Sequence, residues 1–276
     1  MKIMINGVNA DIRPESEKTI GEVLCVLEKW LSESGFRLSG LNLDGQAINA
    51  TMMENCFYRD INTVNTLDII TSSLLQLVAE SYLNLIQDIY SYNASDSDEK
   101  SAFADDWKES PQACFLSEQS PEIYNLALKT FSSDDSGINM FRDIVLERLK
   151  ELQDPAAEFQ KIESIVNNIC LRLEELPLDF QTGKDAAAAE TINTFSCISE
   201  KIFRIINILG MKYQGELIIN DLPIKSFIKE FDAVLLQMLS AYQQQDTVLA
   251  GDIAEYEIAP RLSALYVSVL KSITGG

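Results

Sequence analysis

Lys2-Ile3-Met4-Ile5-Asn6-Gly7-Val8-Asn9 opens the chain. Ile3 and Ile5 alternate with Lys2, Met4 and Asn6, the period of two that puts apolar side chains on one face of a strand. Asn6-Gly7 is a strong two-residue hairpin signal, because both residues tolerate the positive φ of a type I′ turn. A second strand over 8–12 is expected to pair back and to end at Arg13-Pro14-Glu15. Thr19 followed three residues later by Glu22 reads as a capping box. Ile20, Val23, Leu24, Leu27, Trp30 and Leu31 then share one helical face, closed by Gly35. Leu41-Asn42-Leu43, the turn Asp44-Gly45 and Gln46-Ala47-Ile48 follow, and residues 66–71 supply a last strand carrying Leu67, Ile69 and Ile70. The order is hairpin, helix, then further strands.

From Leu74 the periodicity is helical almost throughout. Leu74, Val78, Ser81, Tyr82, Leu85 and Ile89 form one stripe ending near Tyr92. Residues 93–120 are rich in Ser, Asp and Glu and read as an acidic surface excursion. Helices are expected over 121–131 and 138–152, separated by the breaker at 132–137. Asp154-Pro155 then places a cap before a proline at the first helical position. Phe159, Ile162, Ile165, Val166, Ile169, Cys170 and Leu173 make the next stripe, ended near Pro177. Asp185 is expected to cap a helix through Phe195, Ile198, Ile202 and Ile206, stopped by Gly210. After a cap at Asp221 or Leu222, residues Phe227, Phe231, Leu235, Met238, Leu239 and Tyr242 form a regular apolar seam. Asp246 caps the last helix, with Leu249, Ile253, Tyr256, Leu262, Leu265 and Tyr266 expected inward and Pro260 expected to kink it. Long helices on short connections suit an antiparallel bundle. The fold class is α+β, with domains at 1–72 and 74–276.

Composition narrows the function. Of 276 residues, 46% are apolar and 23% charged, which is globular. With 22 basic against 42 acidic residues the net charge is −20, a field that repels phosphate backbones and anionic lipid, so neither nucleic acid nor membrane is expected as a partner. Residues 1–72 hold 6 basic and 10 acidic residues, and the remaining 16 and 32 sit in the helical part. The chain has no histidine, which removes Ser-His-Asp and Cys-His catalysis and histidine metal sites. Without it a Ser or Cys nucleophile needs Lys or a carboxylate as base, and no such constellation is visible, so no enzyme activity or cofactor is expected. Cys25, Cys56, Cys114, Cys170 and Cys197 show no paired spacing. Of these, Cys25, Cys170 and Cys197 fall within apolar helical patterns and are expected to be buried. The first residues lack a signal-peptide core and no apolar run is long enough to span a membrane, so a cytoplasmic location is expected.

Lys2–Gly7 followed by Thr19-Ile20-Gly21-Glu22-Val23-Leu24, with Val64-Asn65-Thr66-Leu67-Asp68-Ile69-Ile70 near the end of the segment, resembles the β-grasp or ubiquitin-like fold, in particular its small sulfur carriers. The resemblance implies a β-grasp domain over 1–72. Residues 183–272 resemble in layout the helical export chaperones of bacterial flagellin: an Ala-rich helix, a loop with Gly215, a helix ending at Ala241-Tyr242, then an Asp246-capped helix. That resemblance implies a helical client linked to flagellar or protein export.

Three motifs carry chemistry. Asp252 and Glu255 stand three apart, so both carboxylates can face one cation or one basic partner, with capping, pairing with Arg261 or Lys271, or contact with a partner as the favoured account. Thr182-Gly183-Lys184 lacks the upstream glycine of a phosphate loop, and Asp185 follows the lysine, so a turn is expected there. Gly275-Gly276 is the activated terminus of sulfur carriers, but here it follows a helix some 200 residues after the strands, and a frayed end is the simpler reading. Together these readings point to a non-enzymatic adaptor or chaperone that binds a protein client. Its candidate partner-binding residues are Phe227, Phe231, Leu235, Met238, Tyr242, Asp252, Glu255 and Tyr256, with plain bundle core as the competing account of the apolar ones. A β-grasp carrier using Gly-Gly and a carboxylate metal protein are the alternatives; self-association stays open.

Overall fold

The computed structural model describes residues 1–132, 137–212, 218–219 and 222–275, apart from the side chains of Ala50, Thr51, Ser97, Asp98 and Ser101. The architecture is mixed α+β: a small N-terminal sheet followed by a helical region. Two compact units divide the chain, Met1–Leu146 and Glu147–Gly276. Among the described residues no helix is long and apolar enough to cross a membrane.

The sheet comprises β1 (Lys2–Ile5), β2 (Val8–Asn9), β3 (Phe36–Leu43), β4 (Gln46–Ala47) and β5 (Thr66–Ser73), in the order β2-β1-β5-β3-β4. β1 runs parallel to β5 with Ile3 opposite Leu67, while β3 runs antiparallel to β5 with Leu43 opposite Leu67. Both tight turns have left-handed central residues, Asn6 and Gly7 at φ 51 and 77 and Asp44 and Gly45 at φ 49 and 84, as type I′ hairpins require. The turn side chains also tie the sheet together. Asp44 accepts from the backbone N–H of Asn65 (2.9 Å) and Thr66 (2.8 Å), and Asn6 accepts from Thr71 N–H at 2.9 Å. Helix α1 (Ile20–Glu33) starts at the expected capping box and lays Ile20, Val23, Leu24, Leu27 and Leu31 on the sheet.

Three details differ from expectation. β2 is two residues long rather than five: the alternation continues and Ala10 and Ile12 still pack against the core, but residues 10–12 make no strand pairing. Residues 50–57 form a helix, α2 (Ala50–Phe57), begun by Asn49, whose side chain accepts from Met52 N–H at 3.1 Å. Gly21 admits the end of that helix, since a Cβ there would stand 2.9 Å from the Phe57 carbonyl oxygen. Cys25, expected to be buried, is exposed, and Cys56 is buried.

Helix α3 (Leu74–Ala94) begins directly after β5 on a Ser73–Gln76 capping box. The segment expected as an acidic excursion is largely helical, as α4 (Ser97–Lys108) and α5 (Pro111–Gln119). Its charge average conceals a sparse but sufficient apolar set. Phe103 packs edge-on to Tyr92 (5.6 Å) and Phe131 (5.4 Å), and Trp107 meets Phe131 at 5.3 Å and donates its indole N–H to Asp88 at 3.1 Å. Helix α6 (Pro121–Phe131) closes this cluster, and α7 (Ile138–Gln153) follows. Residues 133–136 of the expected breaker lie outside the described residues.

The second unit contains the last turns of α7, then α8 (Pro155–Lys161), α9 (Glu163–Glu174), α10 (Leu176–Gln181) and α11 (Asp185–Lys212). A two-stranded ribbon, β6 (Ile218–Ile219) and β7 (Leu222–Pro223), leads to α12 (Ile224–Gln243), α13 (Thr247–Ile253) and α14 (Ala259–Thr274). Asp154 and Asp246 cap as expected, accepting from Ala157 and Leu249 N–H at 3.0 Å each. Gly210 does not stop α11, which runs on to Lys212; its side-chain-free Cα fits a helix that its neighbours propagate. Cys170 is buried as expected, whereas Cys197 lies on the exposed side of α11. Between α13 and α14 the ladder widens into a π turn over Ala254–Ile258. Pro260, without an N–H and with its ring crowding the preceding turn, is accommodated by that widening. Tyr256 and Leu249, expected inward, point to solvent, while Ile253, Ala254 and Ile258 are buried. Gly251 brings α13 against α10, where an added Cβ would lie 3.0 Å from Pro177 Cα. Gly215 and Asp221 lie outside the described residues.

Candidate functional site

Helix α12 carries more apolar side chains than one buried stripe can take. Phe227, Phe231, Met238 and Ala241 enter the core, Leu235 is half-buried, and Leu236, Leu239 and Tyr242 remain exposed. Helix α11 lies beside it with Ile192, Phe195, Ser199 and Phe203 on the facing side, spaced three and four apart as one helical stripe. Together they form a groove of about 280 Å³. Ile192, Phe195, Ser196, Ser199, Glu200 and Phe203 make one wall, and Leu235, Met238, Leu239 and Tyr242 the other. Leu239 is 50% exposed and Tyr242 42%, large apolar groups with solvent on one side. Aromatic rings pack along it: Phe203 and Phe231 stand 6.0 Å apart, and Phe180 meets Tyr242 at 6.3 Å.

Three polar side chains interrupt this apolar lining, Ser196, Ser199 and Glu200, and Ser196 is exposed. Glu200 is its one charged residue and is exposed. Ser199 is 6% exposed, and its hydroxyl has no hydrogen-bond partner among the described residues.

Of the residues singled out in the sequence, Leu235, Met238 and Tyr242 line the groove. Phe227 and Phe231 lie beneath it in the core. Asp252, Glu255 and Tyr256 stand apart from it, on and just before the π turn. There Glu255 holds the Tyr256 hydroxyl proton by hydrogen bond and charge, raising that phenol above its ordinary range. The neighbouring Glu257, rather than Asp252 or Glu255, pairs with Arg261. Among the described residues no group of three or more acidic or cysteine side chains is placed to hold a metal. Gly275 adopts φ 85 and caps α14, its N–H donating to Lys271 carbonyl, and Gly276 lies outside the described residues. The α11 wall, with Ser199, Glu200 and Phe203, was missed as a site. Its legible signal is a serine flanked at four residues on each side by phenylalanine, a small residue in an aromatic stripe.

A larger cleft of about 930 Å³ occurs in the first unit, around Lys18, Gly21, Cys25, Glu54 and Tyr58. Two of its three carboxylates are engaged: Glu17 accepts from Glu15 and Ser16 N–H, and Glu22 accepts from Lys18 and Thr19 N–H. Those backbone bonds hold Glu17 below its usual range.

Residues 1–73 match the family described as "TP0873 N-terminal domain", and residues 157–267, which include both groove helices, match "Domain of unknown function (DUF8042)". The chain is similar to a protein of Treponema pallidum (strain Nichols) that bears the name "Uncharacterized protein", at 19% identity over 277 residues, covering 98% of this chain and 96% of that relative. No solved structure matches the chain.

Proposed function

We propose that the chain is a non-enzymatic adaptor or chaperone whose α11–α12 groove receives an apolar helix face of a protein client. The observation that carries this reading is the groove itself, a largely apolar trough with Leu239 and Tyr242 exposed at its edge and Leu236, Val248 and Leu249 exposed close by along the chain. A trough between two helices is the shape that helix-in-groove recognition uses, with side chains at helical spacing as anchors. Contiguous exposed apolar side chains mark interaction surfaces more often than isolated ones do. The layout of 183–272 favours an export client, a flagellin-like helix being the type the resemblance suggests. The parallel β1–β5 pairing flanked by two hairpin partners supports reading the N-terminal sheet as a β-grasp module. Its two-residue edge strands offer little ladder to an added strand, which leaves client binding to the helices. Five free cysteines fit a reducing, cytoplasmic setting.

Site-specific photo-crosslinking in native cells tests this. A photoreactive residue at Leu239 of the full chain is expected to trap one protein through a helical segment, and Tyr242→Asp in the same chain, on the same groove wall, to abolish the adduct. Labelling no different from that at Leu171, an exposed leucine on α9, would overturn the reading.

A further inference from the structure

Lys201, Arg204 and Lys212 are the only basic residues of α11, and the helical repeat sets them on one face. All three are committed to the tail of α7, residues 147–153, which opens the second unit. Arg204 spans both oxygens of Glu151, and Lys201 pairs with Glu147 while lying 3.7 Å from Glu151. Lys212 Nζ donates to the Leu152 and Gln153 carbonyls at 3.4 and 3.0 Å. Arg148, on the tail itself, stands 3.7 Å from Glu151. The charged groups facing Glu151 are thus Glu147 and Arg148 from α7 and Lys201 and Arg204 from α11. Helix α8, which also packs on α11, engages its own buried carboxylate, Glu158, with Lys161 at 2.6 Å. The apolar cluster of the second unit runs from Phe159 to Val269 and takes in neither Leu149 nor Leu152 of the tail. Charge therefore ties the tail to α11, around a carboxyl whose side chain is 1% exposed.

From this arrangement we infer that the tail of α7 is a proton-operated latch: protonated Glu151 seats it on α11, and ionised Glu151 releases it to water. A protonated Glu151 still offers an acceptor oxygen to Arg204, and Lys201 keeps its pair with Glu147. An ionised Glu151 held away from water forfeits its hydration, which release of the tail restores. Burial outweighs the surrounding cations and pushes the carboxyl up to about 7 from an ordinary 4.5. Release returns it toward that ordinary value and lets its proton pass to solvent. Opening is therefore least at low pH, grows as pH rises toward 7 and levels off above it. Such a step needs no global unfolding, since segments open locally at a lower free energy than the whole domain. Helix α11 also supplies one wall of the groove, so the latch bears on the helix that a client touches, but the inference does not rest on that reading.

Amide hydrogen exchange of the full chain at pH 5.5 and pH 8, corrected for the intrinsic rate at each pH, tests the inference. Amides of the α7 tail are expected to exchange about tenfold or more faster at pH 8 after that correction. Their exchange is expected to outpace that of α9 and α14 and, unlike theirs, to ignore low concentrations of urea, because local opening exposes little surface. Glu151→Gln, neutral at both pH values, is expected to abolish the pH response of the tail. Lys212→Gln loses only bonds to the last carbonyls of α7 and is expected to speed tail exchange by the same factor at both pH values. That variant and the profile of the unaltered chain keep the test decisive if Glu151→Gln does not fold. Tail exchange that matches α9 and α14 in rate and urea dependence would confine Glu151 to global stability and overturn the latch. So would tail exchange independent of pH, a pH response that survives Glu151→Gln, or no effect of Lys212→Gln on the tail.

Discussion

Arg204 lies alongside Glu151 across α7 and α11, its Nε and Nη2 placed 3.2 and 3.3 Å from the two oxygens of a carboxylate whose side chain is 1% exposed. Arg148 and Lys201 each approach the same carboxylate to 3.7 Å, and Lys201 also pairs with Glu147. Burial nonetheless dominates, with Glu147 adding repulsion, and the Glu151 carboxyl is pushed up to about 7 from an ordinary 4.5. A carboxyl raised in the fold favours the protonated folded form. Its contribution to stability is therefore fully present below the unfolded value and is lost as pH rises through 7. Urea unfolding at pH 8 and pH 5.5 is expected to show a gain at the lower pH that Glu151→Gln removes, at most about 3 kcal/mol. Parallel pH profiles for the two proteins would contradict the assignment.

Core and groove residues alternate along α12, and truncation separates them. Phe231 is 0% exposed and packs against Phe203 and Phe227, so Phe231→Ala is expected to cost about 3–5 kcal/mol in urea unfolding. Leu239, half in solvent, is expected to lose no more than about 1 kcal/mol on truncation to Ala. Comparable losses at the two positions would mean that the seam is uniform core.

At Gly251 the contact with Pro177 is to backbone, which cannot rotate away. Gly251→Val is expected to destabilise the second unit by about 1–3 kcal/mol through overpacking. An unchanged midpoint would show that α10 yields.

Trp107 is buried and bonded to Asp88, whereas Trp30 is half exposed on α1. Trp107→Phe is expected to remove the blue-shifted component of the emission and to cost about 1–3 kcal/mol, since Asp88 is left with a lost donor. Burial already holds the Asp88 carboxyl above its usual range. An emission spectrum that loses only its red-shifted component would mean that Trp107, not Trp30, is the exposed one.

Thiol titration of the native chain is expected to show fast reaction at Cys25, Cys114 and Cys197 and slow reaction at Cys56 and Cys170. Burial pushes the Cys170 thiol up to about 11, so little thiolate is present near neutral pH. Rapid labelling of all five would show that both units open readily.

Much of the local structure was legible because its causes are local. The Asn6-Gly7 and Asp44-Gly45 turns, the Thr19–Glu22 box and the Asp154 and Asp246 caps each depend on residues within four positions of one another. The α4–α5 segment was not legible, because Phe103 and Trp107 count for little in a composition average until Phe131 supplies the surface they pack on. The π turn belongs with them: Pro260 signals a disturbance, but whether the helix kinks or widens depends on what surrounds it.

For the candidate site the division is sharper. By itself the sequence determined the helical period that aligns Leu235, Met238, Leu239 and Tyr242, and the acidic, histidine-free chemistry around them. Only the tertiary structure decided which of those residues are core and which are groove. Burial is a property of the neighbouring helix, and α12 exposes whatever α11 leaves uncovered. Ser199 shows the same dependence most clearly. Along the chain it is an ordinary serine between two phenylalanines, and it becomes an unpaired buried hydroxyl only where α11 and α12 close around it.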